Sequence, residues 1–366
     1  MALTLFGTVS DNTVALDRRT ATPLIINGDM AISQRGTSLS SQSSSTRLLD
    51  RFANDIGGGG AITISQDTDT PNSTFLNSMK MVVATADSSI AAADAYRFTY
   101  TVEGSDIANV GLGNSDCLTM TLSFWVRSSV TGTYGIGFQN SAETENYVDE
   151  YTISSADTWE KKVINIPART SGTWLTNNGV GLGIRWDLGS GTDYNGTADS
   201  WQTTSSKVYR TSSCVNWIAT SSATFYVTGV QLEVGTFDAN SIPSFQFEDK
   251  ATSLARCQRY FQYFPSGSSG RWNSATQAEC AGNFPVPMIA VPTLSINPNN
   301  NTCHIFRIGI STNAVTVSSV ASHLMGDTGG VAQIVVSSTA STPSAGDFAM
   351  YDTDGSDNVV FCDSEL

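Results

Sequence analysis

The run "LTMTLSFWVRSS" at residues 118–129 sets Leu118, Met120, Leu122, Phe124 and Val126 in strict alternation with Thr119, Thr121, Ser123, Trp125 and Arg127. A period of two is that of a strand with one face in a core. A helix would repeat its apolar positions every three or four residues. The same patterning returns in "TYGIGFQNS", "EYTISS", "WEKKVINIP", "VGLGIRWDLGSG" and "TFYVTGVQLEVG", with clusters of Gly, Asn, Asp and Ser between them. Strands that are apolar on one face need a second sheet to cover that face. An all-β, antiparallel sandwich of jelly-roll type is therefore expected over residues 24–247. No strand–helix rhythm of a parallel sheet is present.

The alternation stops once. From Glu248 the apolar residues Ala251, Leu254, Cys257, Phe261 and Phe264 fall three or four apart, with Glu248 and Asp249 where the positive end of a helix dipole would lie. This spacing predicts one short connecting helix over 248–264. Its stripe either closes on its own chain or meets copies of itself around a symmetry axis. After Pro265 a smaller C-terminal β-domain is expected over 265–366, with strands in "CHIFRIGIS", "NAVTVSSVA" and "VAQIVVSS". In "FPVPMIAVPTLSI", Pro285, Pro287 and Pro292 restrict the segment to an edge strand or extended chain. "FAMYDTDGSDNVVFCDSEL" reads as a closing hairpin turning at Asp354-Gly355. Residues 1–23, ending at Pro23, read as an N-terminal arm or virion anchor.

With 366 residues the chain exceeds what one core usually serves. Charged residues make up only 14%, and 19 basic against 33 acidic side chains give a net charge of −14, which opposes binding to a phosphate backbone, so nucleic acid is not an expected partner. The N-terminus lacks the basic flank of a secretory signal, and no run of 18 apolar residues predicts membrane insertion. Cys117, Cys214, Cys257, Cys280, Cys303 and Cys362 lie far apart with no C-x-x-C pair, which reads as reduced, small apolar residues.

The ordered set "LIINGDMAISQRGTS" (24–38), "LLDRF" (48–52), "MTLSFWVRSSVTGTYGIGFQN" (120–140), "GTWLTNNGVGLGIRWDLGSG" (172–191), "VTGVQLEVG" (227–235), "RCQRYFQYF" (256–264), "FPVPM" (284–288) and the terminal "SEL" resembles tailed-bacteriophage tail fibres and receptor-binding proteins that carry a carbohydrate-binding-module-like jelly roll. The resemblance implies a homotrimer carried on the virion that recognises host surface glycan or protein. Synthesis in the host cytoplasm is expected from the lack of a secretory signal, and the N-terminal arm, which lies outside the resemblance, is expected to dock to another tail, neck or capsid protein. The long shaft common in such fibres is missing, since no heptads or fibrous repeats occur. A purely architectural neck or capsid fibre and a virion-bound glycan depolymerase are the alternatives.

Strand parity places candidate recognition groups. With Leu122, Phe124 and Val126 inward, Trp125 and Arg127 face outward. With Leu182, Ile184 and Trp186 inward, Arg185 and Asp187 face outward. With Val230, Leu232 and Val234 inward, Gln231 and Glu233 face outward. An indole, guanidinium groups and carboxylates suit a sugar groove, and they equally suit ion pairs that hold a sheet together. Tyr194, Trp201 and Tyr209, in the polar insertion "GTDYNGTADSWQTTSSKVYR", read either as binding anchors or as plugs of the sandwich end. No catalytic residue is assigned: His304 and His323 stand near no nucleophile motif. "GLGNSD" lacks the third glycine of a dinucleotide loop, and "DTDGSD" misses the EF-hand spacing, so no cofactor and no metal are expected.

Overall fold

The computed structural model describes residues 22–297, 302–306, 314–336, 345, 348–352 and 359–366. The chain divides into two units, Met1–Lys250 and Ala251–Leu366. In the first, the strands are β1 (Ser38–Gln42), β2 (Thr46–Arg47), β3 (Phe52–Gly57), β4 (Ala61–Asp67), β5 (Ser78–Thr85), β6 (Ala95–Glu103), β7 (Met120–Ser128), β8 (Gly132–Gln139), β9 (Glu145–Ile153), β10 (Glu160–Ile166), β11 (Val180–Asp187), β12 (Ser200–Thr203) and β13 (Thr224–Val234). A six-stranded sheet runs β1-β4-β5-β13-β7-β10, and a seven-stranded sheet runs β12-β9-β8-β11-β6-β3-β2. The chain steps between the sheets after β1, β3, β5, β6, β7, β9, β10 and β12, as in a jelly roll.

The core lies between the sheets. Leu122, Phe124 and Val126 of β7 and Leu182, Ile184 and Trp186 of β11 are fully buried, as their parity requires. Phe98 on β6 stacks on Trp186 with ring centroids 4.5 Å apart and planes 8° apart, and Phe124 from the facing sheet meets Trp186 edge-on at 5.8 Å and 88°. Each such ring removes about 150–250 Å² from water, roughly 4–6 kcal/mol before the entropy of ordering. The "NGDMAISQRG" and "LLDRF" segments close one end. Asn27 accepts from the Ile32 amide (2.8 Å) and donates to the Ile32 and Asp50 carbonyls (2.9 and 3.0 Å). The buried Asp50 carboxylate accepts from the Gln34 amide at 2.7 Å and pairs with Arg35 at 3.5 Å.

The second unit opens with a helix, Lys250–Gln258, which is shorter than the expected 248–264. The chain leaves it at Arg259, and Phe261–Tyr263 (β14) pairs with the terminal strand Val360–Asp363 (β22). The expected stripe is therefore not one helical face. Ala251 is exposed, Leu254 half-buried and Cys257 buried. Phe261 packs edge-on against Phe361 at 5.0 Å, while Phe264 enters a separate core with Trp272, Cys280 and Tyr351. The reason is that "YFQYF" is rich in aromatics that favour a strand, and ladder pairing with β22 outweighs continuation of a short helix.

The strands β15 (Ser268–Ser274), β16 (Gln277–Asn283), β18 (Thr302–Phe306), β19 (Ala314–Gly326), β20 (Gly329–Val336) and β21 (Phe348–Asp352) close into a barrel ordered β15-β16-β20-β19-β18-β21. The proline-rich run ends in β17 (Thr293–Ile296), an edge of the sheet β14-β22-β17. The expected closing hairpin is not formed, because β21 belongs to the barrel and β22 to the three-stranded sheet. Asp354-Gly355, the rest of "DTDGSD" and residues 1–21 of the arm lie outside the described residues. His304 and His323 fall within β18 and β19. Cys117, Cys214, Cys257, Cys280 and Cys362 are free thiols, and burial pushes that of Cys280 up to about 12.

One edge of the sandwich carries a proton-dependent contact. Asp199 donates its amide to the Val148 carbonyl at 2.8 Å just before β12 pairs with β9. Burial, joined by a hydrogen bond to Asp199 and the charges of Asp199 and Glu150, pushes the Asp149 carboxyl up to about 7. The folded state thus holds this proton more tightly than the unfolded chain, where the value is 3.8. Its stabilising contribution is complete below the unfolded value and is lost as pH rises from there through about 7. Asp149→Asn is expected to flatten this decline and to raise the denaturant midpoint at pH 8 relative to the native chain. Midpoints measured at pH 5 and pH 8 check it, and an identical decline in both proteins would refute the assignment.

Candidate functional site on the bulged face of the six-stranded sheet

β10, β7 and β13 lie side by side, and their outward residues form cross-strand rows. Lys161 stands opposite Trp125, Trp125 opposite Thr228, and Ser123 opposite Gln231. Between the last two rows β13 spends two residues, Gly229 and Val230, against the single Phe124 of β7. Gly229 takes φ +63°, which is the geometry of a bulge with glycine in the left-handed region. The bulge also keeps parity right: Phe225 and Val227 point into the core before it, and Val230 and Leu232 after it.

The missing side chain at Gly229 creates space. A Cβ there would lie 2.8 Å from Phe75 Cζ and 3.1 Å from Trp125 Cδ1, so two aromatic rings converge over bare backbone. Two further rings arrive on the segment after β13, which is strapped down by Gln231. The Gln231 amide nitrogen donates to the Pro243 carbonyl at 3.2 Å, and its oxygen accepts from the Gln246 amide at 3.1 Å. Phe245 and Phe247, two residues apart on an extended chain, therefore both turn onto Phe75, each with ring centroids at 5.2 Å.

The result is a pocket of about 300 Å³ floored by Ser123, Trp125 and Gly229, walled by Phe75, Phe245 and Phe247, and rimmed by Thr74, Lys161, Gln231 and Ser244. Among the described residues the Ser123 and Ser244 hydroxyls, the Trp125 indole N–H and the Lys161 ammonium have no protein partner. Desolvation lowers the pKa of Lys161.

The other residues singled out by sequence lie elsewhere. Glu233, instead of facing solvent, is buried and accepts from Gln231 at 3.0 Å. Arg127 is spent in an ionic cluster. It pairs with Asp69 and, at 3.6 Å, with Asp157, and lies 5.0 Å over the Tyr226 ring, while Trp159 donates to Asp69 at 3.0 Å. On the opposite sheet, Asp187 faces away from the core but not toward water. It accepts from the Gly189 and Ser190 amides at 3.2 and 2.9 Å and pairs with Arg210 at 3.6 Å, and burial raises its pKa. Arg185 is held by Gln139 and Glu143.

The segment around 189–217 is what covers that face. Tyr209 is fully buried across Gly135 and Gly137, where a Cβ on Gly137 would come within 2.4 Å of the Tyr209 Cβ. The tyrosine donates to Ser190 Oγ at 3.0 Å, and Tyr194, half-buried, packs on it at 4.9 Å. Trp201, also half-buried, donates to the Pro167 carbonyl at 2.9 Å and meets Trp174 edge-on at 5.8 Å. The structure thus brings Trp125 and Gln231 together and disperses the rest. Phe75, Phe245, Phe247, Ser123 and Lys161 were missed. The available signals were a glycine inside a strong strand pattern and the period-two aromatics of "PSFQF". No group of three or more His, Cys, Asp and Glu among the described residues is placed to hold a metal ion.

No family model and no curated protein matches the chain. Among solved structures it is similar to the enzymatically active domain of tailspike protein 4 of bacteriophage CBA120, at 12% identity over 58% of this chain and 21% of that chain with a TM-score of 0.30. It is also similar to a putative sugar binding protein from Bacteroides thetaiotaomicron, at 12% identity over 58% of this chain and 100% of that one with a TM-score of 0.35. A third is the family 11 carbohydrate-binding module from Clostridium thermocellum, at 12% identity over 57% and 99% with a TM-score of 0.28. This chain spans about a fifth of the phage protein it matches. Likeness this distant transfers no activity or ligand.

Gly229→Ala is expected to lower stability by roughly 1–2 kcal/mol, the cost of a left-handed L-residue, and to displace Phe75 and Trp125. Gly57→Ala, whose Cβ would meet nothing within 4 Å, is the control and should cost less than about half as much. Denaturant melts followed by tryptophan fluorescence compare the two. Equal losses would mean that Gly229 does not space the rings.

Proposed function

We propose that the chain is a structural virion protein, a homotrimeric tail fibre or tip of phage type, whose sandwich binds a host surface glycan in the pocket beside Gly229. The observation that carries this reading is where hydrogen-bonding capacity is left unspent. Arg127, Arg185, Asp187 and Glu233 are all engaged by protein groups, whereas Ser123, Ser244, the Trp125 N–H and Lys161 are not, and these four converge on one aromatic-walled pocket.

A sugar offers a C–H face and a ring of hydroxyls. It needs a flat apolar partner and a few placed polar groups, and the pocket supplies both. The rings are pre-positioned by the bulge and by the Gln231 strap, so little ordering entropy is spent on binding. The reading is binding without cleavage. Glycoside hydrolysis uses two carboxyl groups roughly 5–9.5 Å apart across the bond, and no carboxylate lines the pocket among the described residues. Trimer and virion rest on the resemblance carried by "LIINGDMAISQRGTS" through the terminal "SEL".

The test uses purified full-length protein on host cells and on their extracted surface polysaccharide. Trp125→Ala is expected to weaken adsorption about tenfold or more, the scale of an interface anchor, at an unchanged unfolding midpoint. The native protein is expected to sediment at three times its 38.8 kDa chain mass. Adsorption untouched by the substitution would remove the pocket from the reading. A 38.8 kDa species would remove the trimer.

A further inference from the structure

We propose that the pocket beside Gly229 takes an acidic sugar residue, one bearing a carboxylate or sulfate, with Lys161 as the group that recognises its charge. This rests on the pocket being a glycan site and adds the class of glycan. Among the described residues that line the pocket, Lys161 is the sole charged side chain, in a chain whose net charge is −14. A neutral sugar can only accept hydrogen bonds from the ammonium, whereas an acidic one also supplies its countercharge.

The placement is built by register. Lys161 on β10 and Trp125 on β7 are direct cross-strand partners on the outer face. A ring lying on the indole therefore has the ammonium beside it across the strands, and Ser123 two residues along β7 in the same lining. Cations elsewhere on this sheet are neutralised within the fold: Arg127 by Asp69 and Asp157, Lys162 by Glu160, and Lys80 by Asp67. Lys161 has no such partner among the described residues. Glu233, two residues along β13 from Gln231, does not line the pocket and accepts from Gln231 at 3.0 Å.

The state of the ammonium agrees with this. Burial desolvates it and lowers its pKa, and no anion among the described residues offsets the loss. An incoming carboxylate or sulfate would restore the missing countercharge through a charge-assisted hydrogen bond. A compact, rotatable ammonium suits a single oxyanion on a sugar whose orientation is set by stacking.

The experiment is a glycan array of matched pairs, each hexuronate- or sulfate-bearing oligosaccharide printed beside its neutral parent, probed with full-length native protein, Lys161→Gln and Lys161→Arg. Lys161 is exposed on its strand, so both variants should keep the native circular dichroism and melting curve, which are recorded alongside. Acidic members are expected to bind above their neutral parents. Binding should drop about tenfold in Lys161→Gln, the scale of one hydrogen bond to a charged group, and be largely restored in Lys161→Arg. It should also weaken between 50 and 500 mM NaCl, salt levels at which charge attraction is increasingly screened. Equal binding of acidic and neutral members, or unchanged acidic binding in Lys161→Gln, overturns the acidic class while leaving a glycan site. Native protein that binds no member of the array, acidic or neutral, overturns the glycan reading itself.

Discussion

Everything in the first unit depends on two sheets burying each other's alternate residues. Phe98 and Trp186 stack within one sheet, and Phe124 comes edge-on from the other. Rings that fill the space between sheets cannot be exchanged for their outward neighbours, because a one-residue slip would send the whole apolar set into water. This constraint also explains the bulge. β13 is the longest strand of the unit and serves as neighbour to both β5 and β7. An extra residue at Gly229–Val230 lets it bend while each half keeps its apolar side inward.

The bulge then has a second consequence. Bare backbone at Gly229 admits Phe75 and Trp125 from opposite sides, and the Gln231 amide fastens the segment carrying Phe245 and Phe247. A structural correction of strand parity thus doubles as the scaffold of a pocket. Gln231, which supports it, is hydrogen-bonded through both amide atoms, whereas Ser123, Trp125, Lys161 and Ser244 of the lining have no partner among the described residues. That division between spent and unspent polar groups separates a positioned site from surface decoration.

The two outer faces of the sandwich differ for the same reason. On the seven-stranded sheet, Gly135 and Gly137 make a flat floor on which Tyr209 lies, and the covering segment brings Arg210 to Asp187. The polar residues there were absorbed into the fold. On the six-stranded sheet the cover is partial, and Arg127, Asp69, Tyr226 and Lys80 form one ionic and aromatic cluster beside the open pocket. The ion-pair alternative weighed for Arg127 and Arg185 describes what their guanidinium groups do.

The sequence by itself determined the strands and which of their residues face inward, because a pleated strand has a period of exactly two residues and burial selects one set. It also marked the edge position of the proline-rich run. It did not determine which outward residues meet water. Asp187 and Tyr209 are covered by a segment distant in sequence, and strand parity carries no information about what crosses a face from outside. Nor did it separate helix from strand at Phe261, where a short apolar run satisfies both periods until a partner such as β22 is in place. Local chain geometry sets direction, and only tertiary contact sets exposure.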